Sequence, residues 1–333
     1  MERDGPGLLL RDLTGGRDAQ VAAAVKVIAA LDADLLLLTG MDYDHGLAAL
    51  AALQDRLAEA GIPYPHRFAL PPNTGVATGF DVDGDGRRRG PRDAQGWGRF
   101  AGAGGMAILS RLPVDTGRAV DHSGFLWADL PRTLSPDPPE LRAIQRLATT
   151  GHWQVPILLP DGRSLTVLAW AATPPVFDGP EDRNGRRNHD EAAFWHLLLD
   201  GDLSLPRPPA PFVLMGEAQL DPADSNGRAG AMERLLAHPA LADPMPRGAA
   251  QRTDAGQRGD PALDTVLYGF GGLRVSYILP SSGLTVEGAG VLWPDDQMPD
   301  AAFVAAASRH RPVWVDVVIP QGPDAVPPAA ATP

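Results

Sequence analysis

Asp81, Asp83 and Asp85 alternate along a short stretch that ends in Gly86, the opening of a D-x-D-x-D-G cation loop. Alternate carboxylates can converge on one ion, and the glycine admits the sharp turn that brings them round. A flexible set of oxygen ligands suits calcium, because magnesium demands a smaller and more nearly octahedral site. Only half of a calcium loop is present. Its twelfth position, where a bidentate Glu belongs, is Arg92, and no helical pattern flanks the stretch. Asp93 follows at once and offers a carboxylate from a different geometry. A polar, solvated turn accounts for the same residues, so both readings stand.

Residues 177–191 (FDGPEDRNGRRNHDE) gather Arg183, Arg186 and Arg187 with Asn184, Asn188 and His189. Guanidinium groups grip anions through paired N–H donors, which makes Arg183, Asn184, Asn188 and His189 candidates for ligand binding. The neighbouring acids could equally satisfy the arginines, giving a salt-bridged loop that caps a following helix through Asn188 or Asp190. His45, His66 and His122 have no partner that the sequence names, and the run Arg87, Arg88, Arg89 reads as a solvated turn. Trp97, Trp127, Trp153 and Trp293 suit core packing, with an aromatic wall as the alternative.

Composition narrows the chemistry. The chain has no cysteine, which excludes disulfides and thiolate zinc sites, so a metal would be held by oxygen or imidazole. A formal net charge of -12 opposes the phosphate backbone of nucleic acid, leaving a small phosphorylated ligand or a protein as the expected partner. Hydrophobic residues at 44% and charged residues at 21% fit a globular domain that can bury a full core. No apolar run is long enough to span a membrane, and residues 1–7 lack a signal pattern. As written the chain reads as cytoplasmic, or as secreted or periplasmic if an upstream signal segment has been lost.

The elements that must position these residues follow from periodicity. Asp18 can cap a helix in which Val21, Ala24, Val25 and Ile28 share one face, and residues 35–38 then form a buried strand. A second helix is expected at 47–57, ended by Gly61 and Pro63, followed by a long Gly-rich loop. Strands are expected at 106–109, 152–159, 165–170, 212–215, 273–279 and 312–319, with helices at 188–199 and 230–237. That order suits two mixed β-sheets packed face to face with outer helices. Residues 1–320 read as one domain and the Pro- and Ala-rich residues 321–333 as a disordered tail.

Residues 33–44 (ADLLLLTGMDYD) resemble the second strand of the deoxyribonuclease I-like endonuclease/exonuclease/phosphatase superfamily, which ends in Gln-Glu or Asn-Glu. Further similar segments follow in family order: GGMAILSR from Gly104, AWAATPP from Ala169, VLMGEAQLDP from Val213, RVSYILPS from Arg274 and SRHRPVWVD from Ser308. The resemblance spans nearly the whole chain and implies a four-layer α/β/β/α sandwich. It also implies a divalent cation, normally magnesium, held by carboxylates beside a phosphate, with Asp, Asn and His residues orienting the reacting groups.

Most positions that would do this chemistry hold other residues. The resemblance places the two metal carboxylates at Gly40 and Arg309, and the catalytic Asp and Asn at Glu217 and Gln219. Its strand His falls on Ala171, and the Asp that would orient the terminal His falls on Ser276. His310 alone matches. Asp42 and Asp44, just beyond Gly40, could hold a cation from a shifted position. The family's first strand, ending in Phe-Asn, would precede Arg3 and is expected to be missing, absent or lost to a late start codon. The implied function is that of a catalytically degenerate member acting by binding or scaffolding. The alternative is an active divalent-metal-dependent phosphoesterase with a non-standard site.

Overall fold

The computed structural model describes residues 1–249, 252, 254–295 and 297–320; the expected tail at 321–333 lies outside them. In chain order the elements are α1 (Leu8–Gly15), α2 (Ala19–Leu31), β1 (Leu35–Met41), α3 (Ala48–Glu59), β2 (His66–Phe68), β3 (Gly105–Ser110), β4 (Val120–Asp121), α4 (Pro139–Arg142), β5 (Gly151–Leu158), β6 (Ser164–Ala171), α5 (Arg183–Asp200), β7 (Phe212–Glu217), α6 (Gly230–Leu236), β8 (Val266–Tyr268), β9 (Gly271–Leu273), β10 (Ser276–Pro280), β11 (Thr285–Val291), α7 (Ala301–Ala307) and β12 (Val313–Val318).

Local chemistry explains the boundaries. Asp18 is extended and its carboxylate accepts the Val21 N–H, which starts α2 where the sequence places it. The expected strand 273–279 is two strands, because the Val275 carbonyl turns aside to accept the N–H groups of Ala218 and Gln219. Helix α5 begins at Arg183, five residues before the expected start. Helices α1, α4 and α7 and strands β2, β4, β8 and the glycine-bearing β11 were not foreseen. In β11, Gly288 and Gly290 lie under the Trp314 ring of β12, a contact that periodicity cannot reveal.

The strands form a five-stranded sheet in the order β10-β7-β6-β5-β4, facing a three-stranded sheet, β1-β3-β2, and the two-stranded ribbon β11-β12. Between these layers Trp153, Val155, Val167 and Met215 meet Met106 and Ile108, with Leu37 and Val317 closing the same core. The other face of the large sheet is covered by α5 and α6 through Trp170, Leu214, Phe194 and Trp195. Helices α1 and α3 cover Leu36, Ala107 and Leu109, while α2 packs on α7. Strand alternation does the sorting: in β5, Trp153 and Val155 enter one core while His152 enters the aromatic layer beneath α5. The result is the α/β/β/α sandwich that the sequence implies. Among the described residues no strand pairs with the outer edge of β1 or of β12.

Candidate functional site

Three strand ends meet at one edge of the large sheet. Glu217, the last residue of β7, pairs with Ala171 at the end of β6 and with Ser276 at the start of β10. The preceding Gly216 makes this approach possible, since any Cβ there would collide with the Trp170 carbonyl oxygen. After Glu217 the chain turns, and Gln219 adopts φ +55°, a left-handed conformation uncommon for its type. That turn sends the Gln219 amide back, so that Nε2 donates to Glu217 Oε1 at 2.6 Å.

From the opposite side, an isolated antiparallel bridge between Val266 and His310 brings in the segment before β12. His310 Nδ1 lies 2.8 Å from the same Glu217 oxygen. The Thr39 hydroxyl of β1 also reaches the Glu217 carboxylate. Burial opposes the charge of Glu217, yet His310, Thr39 and the nearby N-terminal ammonium together hold its pKa below the ordinary value.

Gly40 follows Thr39 at a bulge in β1, with φ +62°. Its carbonyl accepts the Met1 ammonium at 2.6 Å. Arg309 is exposed; its carbonyl accepts from the Arg311 guanidinium, while its own guanidinium makes none of the hydrogen bonds or ion pairs found among the described residues. The structure therefore brings together Gly40, Ala171, Glu217, Gln219, Ser276, Arg309 and His310, whose sequence separations give no hint of contact. Sequence reasoning missed Thr39, and it missed Tyr268, whose half-buried phenol is raised in pKa by burial and then by the Glu217 charge. The antiparallel bridge to His310 is what places Tyr268 here, and no sequence signal announces it.

Divalent-cation chemistry needs free, convergent oxygens. Gly40 supplies no side chain, Arg309 brings a positive charge, and the Glu217 carboxylate is held within the protein. The shifted acids do not substitute. Asp42 accepts the N–H groups of Arg3 and Gly104, and Asp44 caps α3 by accepting those of Ala48 and Ala49. The residues present do not fit the family's magnesium ion.

From Arg183 onward the arginine- and asparagine-rich stretch lies inside α5, whose N-cap is Asp182, so neither Asn188 nor Asp190 caps a helix. Arg183 forms a bidentate pair with Asp137, at 2.9 and 3.2 Å, and also donates to Gln145. Asn184 donates to the Val176 carbonyl, and His189 contacts Asp190 at 2.9 Å. Asn188 donates at 2.7 Å to both the Thr173 and Ala218 carbonyls, clamping the segments that leave β6 and β7. Arg187 is buried and donates to four backbone carbonyls, those of Gln95, Arg146, Leu147 and Ala148. Arg183, Asn184, Asn188 and His189 each engage a partner within the protein, and of the four only Asn188 is buried.

Asp81, Asp83 and Asp85 are exposed, and one oxygen from each lies within 4.8 Å of the others. They accept the backbone N–H groups of Gly86, Asp85 and Arg87 respectively. Asp93 stands apart from them: it is buried, and its two oxygens accept the Val82 and Gly90 N–H groups, tethering the loop from within. Of the tryptophans, Trp127 and Trp153 are fully buried and Trp97 is exposed.

Comparison with known proteins agrees with the fold. The endonuclease/exonuclease/phosphatase family model matches residues 13–310. Among solved structures the chain is similar to an endonuclease/exonuclease/phosphatase from Beutenbergia cavernae, with 18% identity and a TM-score of 0.54 over 90% of this chain and 66% of that one. It is also similar to an endonuclease/exonuclease/phosphatase family protein from Leptotrichia buccalis, at 13% and 0.51 over 90% and 93%. A third, from Bacteroides vulgatus, gives 11% and 0.50 over 91% of each chain. The chain spans just under two thirds of the Beutenbergia protein, and at these identities the likeness is one of fold. No curated protein matches. No helix among the described residues is long and apolar enough to cross a membrane.

Proposed function

The chain belongs to the endonuclease/exonuclease/phosphatase family, and from that premise we propose that it is a catalytically degenerate member whose cleft binds a small phosphorylated ligand without hydrolysing it. The observation that carries this reading is the charge at the two metal positions: nothing at Gly40 and a guanidinium at Arg309. Where a cation would neutralise the phosphate, Arg309 offers paired N–H donors to its oxygens. His310 turns Nδ1 toward Glu217 and leaves Nε2 for the ligand. Glu217 and Gln219 satisfy each other, so neither is poised to activate a water.

The Asp81, Asp83 and Asp85 loop is read separately as a calcium-held turn, supported by the convergence of its three carboxylates. One set of measurements tests both readings. Hydrolysis of plasmid DNA, bis(p-nitrophenyl) phosphate and p-nitrophenyl phosphate, with magnesium, manganese or calcium, is expected at background. Chelator-sensitive cleavage abolished by Glu217→Ala overturns the degenerate reading in favour of an active phosphoesterase. Calcium is expected to raise the melting temperature more than magnesium does. No rise, or a rise unchanged by Asp83→Ala, reduces the loop to a turn.

A further inference from the structure

The register that carries His310 to Glu217 also brings a pair of aromatic rings to the same side of the molecule. Val266 bridges His310 in antiparallel sense, and the Arg311 N–H donates to the Thr265 carbonyl, so Leu267 stands opposite Arg309. Strands β8 and β9 form a hairpin on this segment, with Tyr268 and Phe270 at its turn. The two rings stack, with centroids 5.3 Å apart and planes 15° from parallel. Tyr268 is half-buried within the electrostatic reach of Glu217 and Arg309, whereas Phe270 is 74% exposed. An exposed phenylalanine stacked on a half-buried tyrosine presents one open aromatic face, at a solvation cost that a ligand would remove.

Phe270 also lines a shallow, open pocket with Gly271, Gly272 and Leu273 of the hairpin and Asp224, Asp254 and Gln257 around it. Phe270 lies three residues along the chain from Leu267, so at most about 10 Å of extended backbone separates it from the level of Arg309.

We propose that the cleft selects phosphate monoesters of aromatic alcohols, with Arg309 and His310 holding the phosphate and the Tyr268–Phe270 stack receiving the ring. This rests on the anion-binding reading above and adds the class of ligand. The Tyr268 phenol keeps its proton, since burial and then Glu217 raise its pKa, so it donates to the ligand rather than repelling it. A net charge of -12 disfavours long polyanions but not a monoester, whose charge is local and meets a local arginine.

Calorimetry on the full chain with inorganic phosphate, glycerol 2-phosphate and phenyl phosphate tests this. Phenyl phosphate is expected to bind about three- to tenfold more tightly than glycerol phosphate, the scale of one aromatic stack. Phe270→Ala, a change at an exposed side chain, should erase that difference and leave inorganic phosphate unaffected. Arg309→Ala should weaken all three. If phosphate and both esters bind with equal strength in the unaltered protein, the aromatic preference is wrong and the anion cleft stands. If none of the three binds, or if Arg309→Ala changes nothing, the anion cleft is wrong and the preference falls with it.

Discussion

Glu191 is a charge candidate buried completely inside the protein, and its surroundings set its protonation. Burial pushes its pKa up to about 7, against the pull of Arg187 and of the Thr149 and Thr173 N–H groups that it accepts at 2.6 and 2.8 Å. In the unfolded chain the carboxyl ionises near its ordinary value, so between about pH 4.5 and 7 the folded state binds the extra proton. Stability from this residue is therefore full at low pH and lost as pH rises through 7, by roughly 3 kcal/mol. Urea unfolding from pH 5 to 8 should show that decline in the wild type and a flatter profile in Glu191→Gln. Equal slopes would mean that the two backbone donors keep the carboxylate ionised throughout. Glu191 also shows where sequence reading stops at this scale. Arg183, Asn188 and their neighbours have the types and spacing of an anion site, and only the structure reveals that their donors face the Asp137 carboxylate and backbone carbonyls. Thr39 and Tyr268 were illegible for the opposite reason: their partner Glu217 arrives from a distant strand.

Strand β1 carries four consecutive leucines, a pattern that reads correctly as a buried strand, yet only Leu36 of the four is buried. Its position explains the shortfall, since β3 pairs with one side and nothing described pairs with the other. The Arg111 N–H donates to the Asp34 carbonyl, which fixes the alternation: Leu36 and Leu38 direct their backbone groups to β3, and Leu35, Leu37 and Thr39 direct theirs outward. Amide hydrogen exchange should therefore alternate along β1, slow at Leu36 and Leu38 and fast at Leu37 and Thr39. Uniform protection would show that the outer edge is covered in solution. Elements with strong period were legible, α2, α3 and β5 among them. Strand β11 was not, because its glycines are there for the Trp314 ring and leave no alternation to read.

At the scale of the whole molecule, the order of motifs identified the family where no single motif could, because strand order and spacing are properties of a fold and survive substitution of the site. Function is less legible for the same reason. The structure makes the question testable, since Ala171, Glu217 and Ser276 lie side by side and Gln219, Gly40 and Arg309 surround them. We expect that Gly40→Glu, Ala171→His, Glu217→Asp, Gln219→Asn, Ser276→Asp and Arg309→Asp, introduced together, will confer magnesium binding and measurable hydrolysis of bis(p-nitrophenyl) phosphate. Single changes should do little, because groups that act as a unit are strongly non-additive. The backbone accommodates the set unevenly. Asn tolerates the left-handed conformation at Gln219 better than most residues, so that change is favourable. At Gly40, φ +62° makes Glu cost about 1 kcal/mol, although an added Cβ meets no atom within 4 Å. Circular dichroism must therefore show that the combined variant keeps its fold before its activity is read. A well-folded combined variant that neither binds magnesium nor cleaves the diester would mean that these six positions do not correspond to the family's site, whatever the fold they share.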